Sequence, residues 1–326
     1  MTTPETDTRV PVTVLTGFLG SGKTTLVNRI LTENHGKKIA VIENEYNELS
    51  IDRDLVVNEA EEIVEMNNGC LCCMVRGDLM VAIRKLLKRR DKFDYILIET
   101  SGLTDPGPVA QTFILDDYLT DKVRLDGIVT LVDSKHVWFH LDDRDEMREQ
   151  IGFADVVLLN KTDLVTEADL EKLERRVRDI NALAKMHRTR NSAANLDDVL
   201  DLGAFEVDRI LETHPNLLSD EEDECGIAEG VSSIGITFKG ELDEDKVEAW
   251  AHELGHDHGE DIFLSKGVLS FKDVDDRVVF QGVHAIFDGR TDRPWGDDPR
   301  FNKVVFIGRN LDRDELEAGL KACIAD

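Results

Sequence analysis

The chain has few of the features that would commit it to a membrane, to secretion or to nucleic acid. Among its 326 residues no apolar run approaches the roughly eighteen positions a membrane span needs. Met1 to Arg9 is polar and lacks the apolar core of a secretory signal. Positive charge is scarce: 39 basic residues against 67 acidic ones leave a formal charge of -28. Such a field repels phosphate backbones and anionic lipid surfaces, so neither nucleic acid nor membrane is an expected partner. The acid is spread along the chain (Asp116, Asp117, Asp142, Asp143, Asp197, Asp198), and lysine is scarcer than arginine. Both features fit a salty cytoplasm, where screening makes such charge tolerable. Cysteine is scarce too. Five is an odd number, and Cys70, Cys72 and Cys73 fall within four positions, so a disulfide framework is excluded. Repeats and low-complexity tracts are absent, and a cytoplasmic location is expected.

What is present is an alternation of short apolar runs with helical patterns, the pattern of a parallel sheet wound with helices. Val12–Leu15, Lys38–Ile42, Tyr95–Ile98, Ile128–Val132 and Val156–Leu159 read as buried strands. Thr24–Leu31, Leu79–Lys88 and Ala168–Ile180 read as helices between them. The pattern stops near His214, where Pro215 and the acidic run Ser219–Glu224 follow. After Gly230 an α+β pattern begins: a strand at Ser232–Phe238, a helix at Asp243–Leu254, strands near Ile262–Phe271, Arg277–His284 and Lys303–Ile307, and a closing helix from Asp312. The expected organisation is a disordered tail at 1–9, a P-loop NTPase domain of α/β class at 10–213, an acidic linker at 214–230 and a smaller C-terminal α+β domain at 231–326. In such a sheet functional residues gather at the carboxyl ends of the strands.

Three segments at those ends read together as a nucleotide site. Gly17-Phe18-Leu19-Gly20-Ser21-Gly22-Lys23-Thr24 is the GxxxxGKT phosphate loop, in its strand–loop–helix setting. Gly17, Gly20 and Gly22 let the backbone curl so that amides, Ser21 and the helix start at Thr24 and Thr25 face phosphate oxygens. Lys23 is expected at the β- and γ-phosphates and Thr24 on Mg²⁺. Asp94 to Gly102 is an apolar strand ending in Glu99, with Gly102 three residues on. Glu99 is expected to hold the Mg²⁺ water shell and the Gly102 amide to sense the γ-phosphate. Asn160-Lys161-Thr162-Asp163 reads NKxD. Asp163 can accept from guanine N1–H and the 2-amino group, donors that adenine lacks, so GTP is favoured over ATP. Asn160 would support the loop, and the Lys161 stem would lie over the base. No glutamine stands out as the residue orienting the attacking water.

The three clustered cysteines suit Zn²⁺ or a similar borderline-soft ion. Three thiols leave a fourth position open, which suits metal handed over more than metal kept for folding. Cys70 and Cys73 also form a CxxC, so a thiol redox switch stays open, as do inert buried thiols. The segment Val41–Glu48 follows the second strand, where γ-phosphate-sensitive loops lie. There Glu43, Glu45 or Glu48 could complete a metal shell, touch Mg²⁺ or simply be solvated. His252 and His256, four apart on a predicted helix, and His258 just beyond are candidates for a second metal.

The pieces TGFLGSGKTTL, VIENEYNELSID, NGCLCC, DYILIETSGLTDPGPV, LLNKTDL, VVFQGVHAIFDGRTDRPW and FIGRNLDRDELEAGL span nearly the whole chain. With them the sequence closely resembles the CobW-type, zinc-chaperone branch of the metal-insertion P-loop GTPases. The resemblance implies GTP-dependent delivery of Zn²⁺, or of Co²⁺, from the CxCC to a client metalloprotein. Of the acidic residues in the loop after the second strand, Glu43 and Glu48 are the candidates for further metal ligands, and a homodimer is a possible partner state. Asn47 stands where the family has Gly, Leu71 stands for Ile, and the stretch before the second domain is acidic where many relatives are His-rich. The alternative reading is a regulatory GTPase with a structural zinc or a redox-sensing cysteine cluster.

Overall fold

The computed structural model describes residues 7–33, 35–43, 63–65, 73–141, 143–203 and 231–325. In chain order its first part forms β1 (Val10–Thr16), α1 (Lys23–Thr32), β2 (Ile39–Glu43), β3 (Ile63–Glu65), α2 (Cys73–Leu87), β4 (Tyr95–Glu99), α3 (Gly107–Leu115), α4 (Asp117–Thr120), β5 (Val123–Asp133), α5 (Asp145–Gly152), β6 (Val156–Asn160), α6 (Glu167–Ile180) and β7 (Lys185–Arg188). The seven strands make one sheet in the order β3-β2-β4-β1-β5-β6-β7, and every pairing is parallel. Val12, Val14 and Leu15 of β1 and the whole run Tyr95–Ile98 of β4 are buried, as strands covered on both faces must be. Helix α1 buries Leu26, Val27, Ile30 and Leu31, a spacing that puts them on one face. Each such side chain contributes about 1.5–3 kcal/mol on leaving water.

Two elements depart from the sequence reading. The helix expected over Leu79–Lys88 opens at Cys73. Gly77 lies inside it with open space where a Cβ would stand, so the glycine lowers helix propensity without ending the helix. The edge strand β7, Lys-Met-His-Arg, was not expected, because its polar side chains are half-exposed or exposed and give no apolar run.

The chain divides into two compact units. The first carries the residues up to Gln150 together with Ala154–Leu170 and Lys185–Gly203; the second takes Ile151–Phe153, Glu171–Ala184 and the chain from Val231 on. The second unit holds β8 (Val231–Phe238), α7 (Glu244–His258), β9 (Ile262–Leu269), β10 (Asp276–Val283), β11 (Ile286–Pro294), β12 (Asn302–Arg309) and α8 (Arg313–Ala322). Its five strands pair antiparallel in the order β11-β10-β9-β12-β8. Ile236, Phe280, Val304 and Phe306 from the strands meet Val247, Leu254, Leu316 and Leu320 from the helices in one core. Asp243 and Asp312 cap the two helices, accepting from the amides of Lys246 and Glu315. The strand β11 was missed because its Asp-Gly-Arg-Thr-Asp-Arg run is mostly exposed at the sheet edge. His284 is not a strand residue but the first residue of the two-residue turn into β11, with φ 53°.

Among the described residues no helix is long and apolar enough to cross a membrane. In the first unit the carboxylate of Asp126, fully buried, accepts from Tyr95 Oη at 2.5 Å, from the Leu202 amide at 2.7 Å and from the Gly203 amide at 3.1 Å. Burial and this carboxylate push the Tyr95 phenol well above its ordinary pKa. The network fastens residues 201–203 to the centre of the sheet. Asp126→Asn keeps the shape but turns one acceptor into a donor facing other donors, and should lower unfolding free energy by about 3 kcal/mol. Urea unfolding checks this, and an unchanged midpoint would contradict it.

Candidate functional site

At the end of β1 the chain turns into α1 through a loop closed by a left-handed Gly22, φ 111°. A Cβ there would meet Asn160 Nδ2 at 2.5 Å and Ser192 Oγ at 2.6 Å, so only glycine fits. Helix α1 has no side-chain cap and no acid in its first turn, which keeps its positive end available to an anion. Lys23 is buried and donates to the carbonyls of Gly17 at 2.7 Å and Phe18 at 3.3 Å, curling its ammonium over the loop. Burial pulls its pKa below the ordinary lysine range, while the Glu99 carboxylate works the other way. Thr24 Oγ1 lies 3.3 Å from Glu99 Oε1, at the end of β4. Ser21 is buried, and Thr25 is exposed.

Strand register brings further groups into line. Glu99 stands beside Leu15 of β1 on one side and Glu43 of β2 on the other. Gly102 follows within three residues, and a Cβ there would meet the Leu19 amide nitrogen at 2.6 Å, so phosphate loop and β4 loop touch through a glycine that cannot be replaced freely. Thr100 Oγ1 donates to Thr16 Oγ1 at 2.9 Å and its amide to Leu15 O at 2.9 Å, which pins the start of that loop to β1.

At the end of β6, Asn160 is almost fully buried. Its Nδ2 donates to Ser21 O at 2.8 Å and Ser192 Oγ at 3.0 Å, and its Oδ1 accepts from the Ser192 amide at 2.9 Å and Thr189 Oγ1 at 3.1 Å. Lys161 takes a left-handed φ of 61° and its ammonium rests on Asp133 Oδ2 at 2.6 Å. Burial opposes the Asp133 carboxylate, yet hydrogen bonds from Lys161 and His136 outweigh it and hold Asp133 below the usual carboxylate range. Asp163 is exposed and borders an open cavity of about 540 Å³ shared with Lys135, Trp138 and Thr166. Sequence reasoning missed Ser192, Thr189 and Asp133. Asp133 was legible as the acid ending a strand beside NKxD; Ser192 and Thr189 carry no motif.

The structure thus brings the phosphate loop, Glu99 with Gly102, and Asn160 with Lys161 to one edge of one sheet. Cys70, Cys72, Glu45 and Glu48 lie outside the described residues, and Cys73 enters only as the first residue of α2. Among the described residues no group of three or more His, Cys, Asp and Glu side chains stands together as a metal site. The histidines of α7 go separate ways: His256 pairs with Asp257 at 2.7 Å and His258 with Glu315 at 3.3 Å.

A parallel sheet with this loop before α1 and NKxD at the end of β6 defines a P-loop GTPase. Residues 11–188 match the family profile described as CobW/HypB/UreG, nucleotide-binding domain, and residues 231–324 match the cobalamin synthesis protein cobW C-terminal domain. The chain belongs to the CobW/HypB/UreG family and carries the CobW C-terminal domain. It is 36% identical over 316 residues to a protein named zinc chaperone YjiA of Escherichia coli, covering 95% of this chain and 97% of that one. It is 35% identical over 348 residues to zinc-regulated GTPase metalloprotein activator 1 of Schizosaccharomyces pombe, covering 93% of this chain and 83% of the relative. The crystal structure of Zn(II)-bound YjiA GTPase from E. coli superposes with a TM-score of 0.77 at 32% identity, over 97% of this chain and 99% of that chain.

Two substitutions test the nucleotide assignment. Lys23→Ala removes the one cation built into the phosphate loop and is expected to slow GTP hydrolysis by about 100–1000-fold, measured as phosphate release. Asp163→Asn places a donor opposite the guanine donors. The preference for GTP over xanthosine triphosphate should then shift by about a hundredfold, since the 2-oxo group of xanthine now meets a donor. Competitive binding of the two triphosphates measures it, and a variant that still selects guanine as the native chain does refutes the pairing.

Proposed function

We propose that the chain is a GTP-hydrolysing metallochaperone of the cytoplasm, which takes Zn²⁺, or Co²⁺, on Cys70, Cys72 and Cys73 and hands it to a client apoprotein. The observation that carries this reading is the union, in one chain, of the nucleotide site above with the NGCLCC segment between β3 and α2. Relatives matched over nearly the full length and named for zinc support it.

In this reading Gly17, Gly20, Ser21, Gly22, Lys23, Thr24 and Thr25 take the phosphates, and Asn160, Lys161 and Asp163 take the guanine. The Thr24 hydroxyl and the Glu99 carboxylate, 3.3 Å apart, are the hard oxygen donors that suit Mg²⁺. When bound, that ion neutralises charge on the β- and γ-phosphate oxygens. The chain's own part is positioning: Lys23 meets the bridging charge, the start of α1 faces the phosphates, and the Gly102 amide reports the γ-phosphate. Glu43 or Glu48 supplies the fourth position of the zinc site. Glu43 pairs in register with Glu99, so the carboxylate next to the Mg²⁺ position is one strand from a candidate zinc ligand.

A delivery device needs a tight and a loose state for its cargo, selected by the nucleotide. Zinc affinity is expected to differ by about 5–150-fold between the states loaded with a nonhydrolysable GTP analogue and with GDP, with zinc shifting triphosphate affinity by the same factor. Titration against a zinc chelator in the two states measures it. Cys72→Ser should remove the difference and leave nucleotide binding intact. Equal zinc affinity in both states would mean that hydrolysis does not drive transfer through this site.

A further inference from the structure

Helix α5 runs behind the loop that follows β4, and its residue Gln150 is buried, with 1% of its surface exposed. The Gln150 carboxamide nitrogen donates to Gly102 O at 3.2 Å and to Thr104 O at 3.2 Å. A primary amide has two N–H donors, and both are spent on this one loop. The backbone of Gln150 is itself anchored, since Thr130 Oγ1 on β5 donates to its carbonyl at 2.6 Å. Its Oε1 is buried with no hydrogen-bond partner among the described residues. An unsatisfied buried acceptor works against stability. A side chain kept only to fill space would do better as an apolar one of similar volume.

We propose that Gln150 is a positioning residue for GTP hydrolysis: it fixes the Gly102 peptide so that the loop meets the γ-phosphate in one orientation. This rests on reading Glu99–Gly102 as the γ-phosphate loop. Gly102 has no side chain because the Leu19 amide occupies the space. A glycine has the widest backbone freedom of any residue, so its amide points in a defined direction only where neighbours constrain it. At its Cα the constraint is Leu19 of the phosphate loop; at its carbonyl it is Gln150. Loss of the two hydrogen bonds leaves the loop able to turn, and a displaced contact to the reacting phosphate slows the chemical step more than it weakens binding.

The test compares the full chain with Gln150→Met, close in volume but without the donors, and Gln150→Glu, close in shape with acceptors in their place. Gln150→Met should lower kcat by roughly ten- to a hundredfold, the effect of one or two ordinary hydrogen bonds, with GDP affinity unchanged within about twofold. Gln150→Glu should be slow at neutral pH. Its kcat relative to the native chain at each pH should then rise as pH falls, because the buried carboxyl, once protonated, again donates to one of the two carbonyls. A packing role would not produce that recovery. Thermal unfolding confirms that each variant is folded. A native kcat in folded Gln150→Met overturns the proposal, as does a fall in GDP affinity equal to the fall in kcat, or a pH-independent ratio for Gln150→Glu. Lys23→Ala is assayed in parallel. If Lys23→Ala is inactive while Gln150→Met turns over normally, the reading of the site stands and the role of Gln150 falls; if Lys23→Ala itself turns over normally, the site reading fails.

Discussion

The groups that would touch a guanine nucleotide hang from loops on different strands, and the carboxamide of Asn160 joins two of them. All of its hydrogen-bonding capacity is used: two donors go to Ser21 O and Ser192 Oγ, and two acceptor sites are filled by the Ser192 amide and Thr189 Oγ1. Within a buried setting such a satisfied network is rigid, and each bond depends on the others for its direction. The constraint extends to the phosphate loop, where Gly22 must lack a side chain because Asn160 and Ser192 already fill the space. It also extends to the next residue of NKxD, since Lys161 leaves Asn160 in a left-handed conformation and is held there by Asp133 from the neighbouring strand. The loop that would take phosphate and the segment that would take the base are therefore held at a fixed separation.

A chain of formal charge -28 that binds a triphosphate has to overcome its own field locally. Salt shortens the reach of that field to about 8 Å at physiological ionic strength, so what counts is the charge lining the loop. There the balance reverses. Lys23 is buried against the loop carbonyls, and the uncapped start of α1 adds partial positive charge with no acid in its first turn. Glu99 is a negative group close by, and it faces the Thr24 hydroxyl, where a divalent cation would offset it. The same chain can thus repel a polyanion at a distance and hold a small one at a shaped site.

Much of this was legible in the sequence because the informative residues are the ones that obey strong local rules. Buried parallel strands such as Tyr95–Glu99 and Val156–Asn160 are continuous apolar runs, and Asp243 and Asp312 mark helix starts in the second unit. The elements that were not legible are those whose stability comes from neighbours. The strands β7 and β11 lie at sheet edges with polar, largely exposed side chains, and only their pairing with β6 and β10 makes them strands. The early start of α2 at Cys73 was hidden by Gly77, which local propensity treats as a boundary. Ser192, Thr189 and Gln150 escaped for a further reason. Their partners, Asn160 and the Gly102 loop, lie 29 to 48 positions away, and no local pattern announces a bond of that separation.

The sheet order also bears on how the nucleotide site and the cysteine segment proposed to take metal can share one domain. Strand β1, which feeds the phosphate loop, is at the centre of seven, paired with β4 and β5. Strand β3, after which the cysteine segment begins, is at the edge, three residues long and paired with β2 alone among the described strands. Yet the two places are joined in register: Glu65 of β3 stands beside Glu43 of β2, and Glu43 beside Glu99 of β4. Two strand spacings, about 10 Å, therefore separate the carboxylate beside Thr24 from the point where the chain leaves for the cysteines. A rigid centre preserves the geometry that phosphate chemistry needs. In the proposed function, the cysteine segment would take its cargo within a short distance of that centre and outside it.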